Sequence, residues 1–234
     1  MTKRRRTSGI QRRERASSEA LNRRIDAGAS GGGASLPDWR LLAIGGVLLI
    51  GVILIVLVIV LGGERDPNLG VQEPNDGGIH VNVGTDCRDP AQQNAQTGCG
   101  TDPYSSIPAA SGPHWDPSGI ANWGVYSTPQ PETQLIHNLE HGGIVIWYDA
   151  DAVTDAEVDE MASYVEGQVA TGLGGRFKFI LTPWGGNEDL GAVVAVTAWR
   201  HLLKLDTVDM DAIRTFADGN YLKWAPEPNG GPGV

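Results

Sequence analysis

Two histidines and one glutamate lie close together in the segment Leu135-Ile136-His137-Asn138-Leu139-Glu140-His141-Gly142-Gly143. If this segment is helical, His137, Glu140 and His141 occupy positions i, i+3 and i+4 and share one face. The pattern H-x-x-E-H is that of the inverted zinc-hydrolase motif, in which two imidazoles bind zinc. The sequence therefore predicts His137 and His141 as metal ligands and Glu140 as a candidate catalytic base that activates a metal-bound water.

Two further histidines could complete such a site from other parts of the chain. His80 lies in a short predicted strand, and His114 lies between a proline and a tryptophan that restrict its freedom. Imidazole and carboxylate ligands suit zinc or copper(II). The fifth histidine, His201, follows a predicted strand and is expected to be exposed. The predicted metal ligands are therefore His80, His114, His137 and His141.

The same residues permit other functions. In a purely structural interpretation, His141 interacts with the negative end of the helix dipole, while His137 and Glu140 form hydrogen bonds with the proline-rich segment. Gly142-Gly143 ends the predicted helix at the second ligand, whereas the zinc-hydrolase motif lies within a long helix. We therefore favour a non-catalytic metal-binding module over a metal-dependent hydrolase. A partner-binding envelope module without metal is the third alternative.

The N-terminal part of the chain has the charge and hydropathy of a membrane anchor. Residues 1–40 carry a net charge of +6, and because the whole chain carries −10, residues 41–234 carry −16. Residues 41–61 contain no charge and no proline, and at about 1.5 Å per residue a helix of this length crosses the hydrocarbon core of a bilayer. The positive-inside rule keeps residues 1–40 in the cytoplasm and places the C-terminal domain outside, in a single-pass protein of a bacterial cell membrane.

A cleaved signal peptide and a buried core helix are the alternatives to this transmembrane helix. The apolar run exceeds the roughly 7–15 residues of a signal-peptide h-region, and residues 62–65 show no clear cleavage pattern. The run is also apolar on all sides, unlike an amphipathic core helix. The expected partners are the lipid bilayer and an unidentified envelope protein. Nucleic acid is not expected, because the basic tail, predicted to be disordered, has no aromatic residue before Trp39.

Cys87 and Cys99 are the two cysteines of the chain, and both lie in its predicted extracytoplasmic part. An oxidising compartment favours a disulfide between them. The alternative is a metal site formed by both thiolates and a nearby histidine, but exposed thiolates outside the cell oxidise readily unless a metal is already bound. We therefore predict a disulfide.

Composition and periodicity place the folded domain at residues 79–226. It follows a polar linker (62–78) and precedes a Gly- and Pro-rich tail (227–234) that is predicted to be disordered. The predicted elements are a strand at 79–83, an irregular proline-rich segment at 101–131, a helix at 131–141, a strand at 144–148, a helix opened by a capping box at Thr154, strands at 176–182 and 192–199, and a helix at 208–217. This order predicts an α+β layer sandwich with helices on one face of a mostly antiparallel sheet, resembling most of a ferredoxin-like unit.

Several short segments, in a fixed order, resemble a known bacterial family. They are Pro103-Tyr104-Ser105-Ser106-Ile107-Pro108, Ser111-Gly112-Pro113-His114, Gly124-Val125-Tyr126, His137-Asn138-Leu139-Glu140-His141-Gly142-Gly143 and Thr197-Ala198-Trp199. Together they are similar to the domain-of-unknown-function 3105 family over roughly residues 80–226, with Ala109-Ala110 where a Pro-Thr pair is common. The resemblance implies an N-terminal membrane anchor, which members commonly carry. It implies no reaction, because the family has no assigned activity.

Overall fold

The computed structural model of the chain describes residues 39–61 and 66–232, which fall into two units. The first unit contains helix α1 (Trp39–Leu61). Among the residues whose side chains the structure describes, no helix is long and apolar enough to cross a membrane. Three predicted parts lie outside the described residues or side chains. They are the basic tail up to residue 38, the start of the linker (62–65) and the side chains at both ends of the predicted span (41–43 and 57–61).

The second unit is built on a six-stranded mixed sheet. Its strands lie in the order β1-β8-β7-β5-β6-β4, and within residues 66–232 three of the five pairings are antiparallel, while β4–β6 and β5–β6 are parallel. The bounds are β1 (Val71–Gln72), β4 (Gly124–Val125), β5 (Ile144–Tyr148), β6 (Phe179–Pro183), β7 (Val194–Ala198) and β8 (His201–Leu205). The α+β class is confirmed.

The sheet is covered on both faces. Alternate residues of β5 point to opposite sides of the sheet, and each set packs in a different apolar cluster. Ile144 and Ile146 pack in one apolar cluster with helices α3 (Asp155–Val169) and α4 (Met210–Asn220). Val145 and Trp147 pack in a second cluster with helix α2 (Glu132–Glu140) and part of the proline-rich segment. The prediction that the helices share one face is therefore wrong.

The strand count also differs from the ferredoxin-like expectation. From Ile144 onward the order is β-α-β-β-β-α. The additional strand is β8, which follows β7 after only two residues. Arg200 makes this tight turn with a φ of 59°, and its backbone N–H donates to the carbonyl of Ala110 at 2.7 Å. His201, predicted to be exposed, is thus a buried residue of β8, with an exposed fraction of 8%.

A two-stranded parallel ladder lies beside the main sheet. It pairs β2 (His80–Val81) with β3 (His114–Trp115). Below it, a small apolar cluster contains Val81 and the two cysteines. Cys87 and Cys99 form a disulfide, as predicted. This bond anchors the irregular loop that follows β2.

Candidate metal centre

The three motif residues lie at the C-terminal end of α2, where His137 and Glu140 are helical and His141 is the capping residue. Glu132 lies in the first turn, where a carboxylate favours the positive end of the helix dipole. Gly142 ends the helix with a φ of 82°, a conformation that glycine adopts at low cost. Gly143 has no room for a side chain, because an added Cβ would lie 2.6 Å from the ring of Trp123. The helix therefore stops at a fixed point, with its last residues buried.

The β2–β3 ladder brings two more histidines to this end of the helix. In its register His80 lies opposite His114. Backbone hydrogen bonds from His114 to Ile79 and from Asp116 to Val81, both 2.9 Å long, hold that register. The ring centroids of His80 and His114 are 4.8 Å apart, and that of His137 lies 5.1 Å and 4.9 Å from them. Three imidazoles from three segments therefore meet at one place.

Four of these residues form a compact set of potential ligands. One ligand atom from each of His80, His114, His137 and Glu140 lies within 4.8 Å of the other three. The carboxylate Oε2 of Glu140 is 3.1 Å from Nε2 of His114 and 3.7 Å from Nε2 of His80. His114, His137 and Glu140 are buried, whereas the side chain of His80 is 44% exposed. The set is therefore closed on the protein side and open to solvent at His80.

Backbone carbonyls orient the rings at this site. Nδ1 of His114 is 2.9 Å from the carbonyl oxygen of Gly112, and Nδ1 of His137 is 2.5 Å from that of Trp115. Since a carbonyl only accepts, each Nδ1 must carry the proton, which leaves the lone pair on Nε2 whenever the ring is neutral. Metal-bound histidines commonly have this arrangement, in which the second nitrogen donates to a carbonyl and fixes the tautomer.

The tautomers leave electron pairs facing one another inside the cluster. Nε2 of His114 faces the Glu140 carboxylate, and Nε2 of His137 lies 3.0 Å from Nε2 of His141, whose Nδ1 is likewise 3.0 Å from the Glu227 carbonyl. Two acceptors at such distances require a proton or a cation between them. This donor set of imidazoles and one carboxylate fits a divalent transition-metal ion.

The pKa values of His137 and Glu140 are shifted towards the protonation states in which these side chains can bind a metal ion. Burial, together with the charges of His114 and His141, lowers the pKa of His137 to about 4 and outweighs the opposing hydrogen bond to Trp115. For Glu140, burial by itself raises the pKa, but the hydrogen bond with His114 and the neighbouring imidazole charges outweigh it and lower the pKa overall. At neutral pH, His137 is therefore neutral and Glu140 is ionised.

The structure divides the predicted motif between two groups of residues. His80, His114 and His137 lie together, and Glu140, the candidate base, lies in the same group of possible ligands. His141 belongs with Glu140 and Glu227 in the second group that could hold an ion. There the Glu227 carboxylate is exposed, and it lies 3.9 Å from Nδ1 of His141, the nitrogen already committed to a carbonyl. The first group is therefore the better metal site.

Two features near the site were not predicted from the sequence: the ordered segment 227–232 and the buried Lys178. Residues 227–234 were predicted to be disordered, yet Glu227 accepts from His141, and Pro232 accepts from the indole of Trp123 at 2.9 Å. Lys178 lies beside them and is only 5% exposed. A Gly- and Pro-rich tail and a single lysine before a strand carry no pattern that identifies them, because their role arises from contacts between distant segments.

Comparison with known proteins identifies a matching family. A family described as "Protein of unknown function (DUF3105)" matches residues 97–231, and this range contains three of the four residues in the ligand set. No curated protein and no solved structure matches the chain.

Proposed function

The chain belongs to the DUF3105 family of proteins of unknown function, and we propose that it is a membrane-anchored extracytoplasmic module that binds one divalent metal ion through His80, His114, His137 and Glu140. The observation that carries the proposal is the convergence of four ligand atoms within 4.8 Å, with the buried His114 and His137 each oriented through a backbone carbonyl. A buried carboxylate and imidazoles without an ion would leave facing acceptors that need added protons.

Zinc and copper(II) are the ions that this chemistry favours. Both accept imidazole nitrogen and carboxylate oxygen. No cysteine thiolate competes in the described part of the chain, because both cysteines are in the disulfide. When bound, such an ion acts as a Lewis acid, and the exposed side of the set at His80 is where a further ligand would approach.

A metal-dependent hydrolase is the second candidate, favoured by that open side. In such an enzyme Glu140 would remove a proton from water. Its carboxylate instead lies among the possible ligand atoms, with Oε2 at 3.1 Å from Nε2 of His114. The cavity of about 300 Å³ next to Trp115 is lined by Arg88, Glu132 and Trp184 and by none of the ligand set. The geometry therefore supports metal binding better than hydrolysis.

Metal binding is tested by titrating the full-length chain, stripped with a chelator, with Zn²⁺. We expect one tightly bound ion per chain. His201→Asn is the matched control, since His201 is also buried but lies in β8, outside the ligand set. The variant should keep the full stoichiometry. A wild-type chain that takes up no stoichiometric Zn²⁺ or Cu²⁺ would refute the proposal.

The membrane anchor is supported by the uncharged run at residues 41–61 and by the exposure of its apolar side chains. Val47, Leu48 and Ile55 of α1 are each more than 60% exposed, and large exposed apolar surfaces require a partner or a lipid environment. The excess of positive charge before the run sets the orientation.

Cysteine labelling tests this orientation. A membrane-impermeant thiol reagent applied to intact cells should label a cysteine introduced at Asn229 and should not label one introduced at Ser8. Both positions should react after the cells are lysed. Labelling at Ser8 and protection at Asn229 in intact cells would reverse the topology, while equal labelling would exclude a single span between them.

A further inference from the structure

Residues 227–232, which we call the strap, lie across the C-terminal end of α2. The backbone N–H of Glu227 donates to the carbonyl of Glu140 at 3.1 Å, and the carbonyl of Glu227 accepts from Nδ1 of His141. At the far end of the strap, the Pro232 carbonyl accepts from Trp123. The strap thus contacts the two residues that end the H-x-x-E-H motif.

The strap fits closely against the ring of His141. A Cβ added at Gly230 would lie 2.3 Å from Cε1 and from Nδ1 of that ring, and one added at Gly231 would lie 3.2 Å from the Cβ of His141. Glycine at these positions therefore allows the backbone to approach the imidazole directly. The ring has little freedom to turn while the strap is in place.

Lys178 fastens the strap to the body of the domain. Its ammonium group donates to three carbonyls, those of His141 at 2.8 Å, Pro228 at 2.8 Å and Gly230 at 2.7 Å. The ion pairs found in residues 66–232 do not include this lysine. All three of its donors therefore serve backbone oxygens, one at the negative end of α2 and two on the strap.

We infer that Lys178 is a positioning residue: its three hydrogen bonds, which we call the latch, hold the strap in place. The strap in turn fixes the orientation and tautomer of His141 beside the proposed ligand His137. This inference rests on the proposed metal-binding function. Because Nε2 of His141 is 3.0 Å from Nε2 of His137, a displaced His141 changes the immediate surroundings of a ligand nitrogen. We expect this change to alter metal affinity by about 10–100-fold, the range typical of changes to groups just outside a metal's ligands.

Two variants of the full-length chain test the latch from opposite sides. Lys178→Met removes the donors and keeps much of the side-chain volume, while Gly230→Ala keeps the lysine and forces the strap away from His141. Both should weaken Zn²⁺ binding about 10–100-fold and change the visible spectrum of the Co²⁺-substituted protein. Both should also accelerate amide exchange at Glu227 and remove the Nδ1–H tautomer signal of His141 in ¹⁵N spectra.

Matched controls separate this role from general destabilisation. Lys204 also donates to a carbonyl, that of Leu190, but lies outside the strap, and Gly174 has open space around it. Lys204→Met and Gly174→Ala should therefore behave like wild type. If Lys178→Met does not fold, as judged by circular dichroism, Gly230→Ala decides.

Three outcomes would overturn the inference or separate it from the proposed function. If Gly230→Ala and folded Lys178→Met bind Zn²⁺ with wild-type affinity, the strap has no effect on metal binding and that part of the inference is wrong. Wild-type exchange at Glu227 together with an unchanged His141 tautomer would remove the latch itself. A wild-type chain that binds no ion would refute the proposed function, and the exchange and tautomer measurements would still decide whether Lys178 holds the strap.

Discussion

Glu140→Gln should lower the Zn²⁺ affinity of the chain more than about 100-fold, the upper end of the effect of losing a residue that merely orients a ligand. The substitution keeps the shape of the side chain and removes its charge. The carboxylate lies 3.1 Å from Nε2 of His114 and 3.7 Å from Nε2 of His80. A neutral amide is a weaker ligand and no longer balances the positive charge of the ion. Chelator competition followed by equilibrium dialysis measures the change.

This variant also separates the two candidate functions. A hydrolase in which Glu140 serves only as the base would keep its ion after Glu140→Gln and would lose turnover alone. Glu166→Gln is the matched control, because Glu166 is exposed on α3. We expect the control to bind Zn²⁺ like wild type. If Glu140→Gln also does so, Glu140 is not a ligand.

The metal-free chain should lose about 3 kcal/mol of stability from His137 between pH 6.5 and pH 4, at about 1.36 kcal/mol for each pKa unit. Burial lowers the pKa of His137 to about 4 in the folded chain, from 6.5 in its ordinary state. Between these values the unfolded chain binds one more proton than the folded chain at this residue. The free energy of unfolding therefore rises with pH across this window and falls on acidification.

Urea unfolding of the chelator-treated protein at several pH values measures this slope. His137→Gln is the comparison, since it removes the titrating ring while the carboxylates that do not interact with it titrate as before; the pKa values of Glu140 and Asp116, which His137 helps to lower, change with it. The difference between the two curves should be flat above pH 6.5 and should grow as the pH falls towards 4. Parallel curves over the whole range would show that His137 titrates normally in the folded state.

Local sequence signals predicted much of the fold. The run Ile-Val-Ile-Trp-Tyr at Ile144–Tyr148 is a strand buried on both faces, and the capping box at Thr154 is present with both of its hydrogen bonds. Gly142-Gly143 ends α2 as expected. Each of these signals acts within a few residues, where hydrogen bonding and side-chain direction are determined by the neighbours in sequence.

The turn between β7 and β8 shows where such signals fail. Two-residue hairpins usually contain glycine, asparagine or aspartate, but here Trp199 and Arg200 make the turn. Contacts from elsewhere hold Arg200 in its left-handed conformation, since its N–H donates to Ala110 and its carbonyl accepts from Glu73 at 2.9 Å. The sequence alone therefore showed neither β8 nor the burial of His201.

The candidate site was predictable in composition but not in arrangement. The spacing of His137, Glu140 and His141 indicated one helix face, yet the helix ends at Glu140, so His141 follows as the capping residue. His141 is then drawn towards Glu227, which no local pattern connects to it. His80 and His114 were recognised as available ligands, but their alignment depends on a parallel pairing that has no sequence signature of its own.

That parallel pairing has a consequence for how the protein matures. His80 and His114 become neighbours only when two strands far apart in sequence pair. In a newly made chain, the only imidazoles of the motif that are close together are those of His137 and His141, in one short segment. Tight binding of the proposed ion would therefore follow folding, as is common where a preformed site is absent from the unfolded chain. If both the proposed metal site and the proposed topology hold, loading would follow export, and the ion supply outside the cytoplasm would select the metal that the mature protein carries.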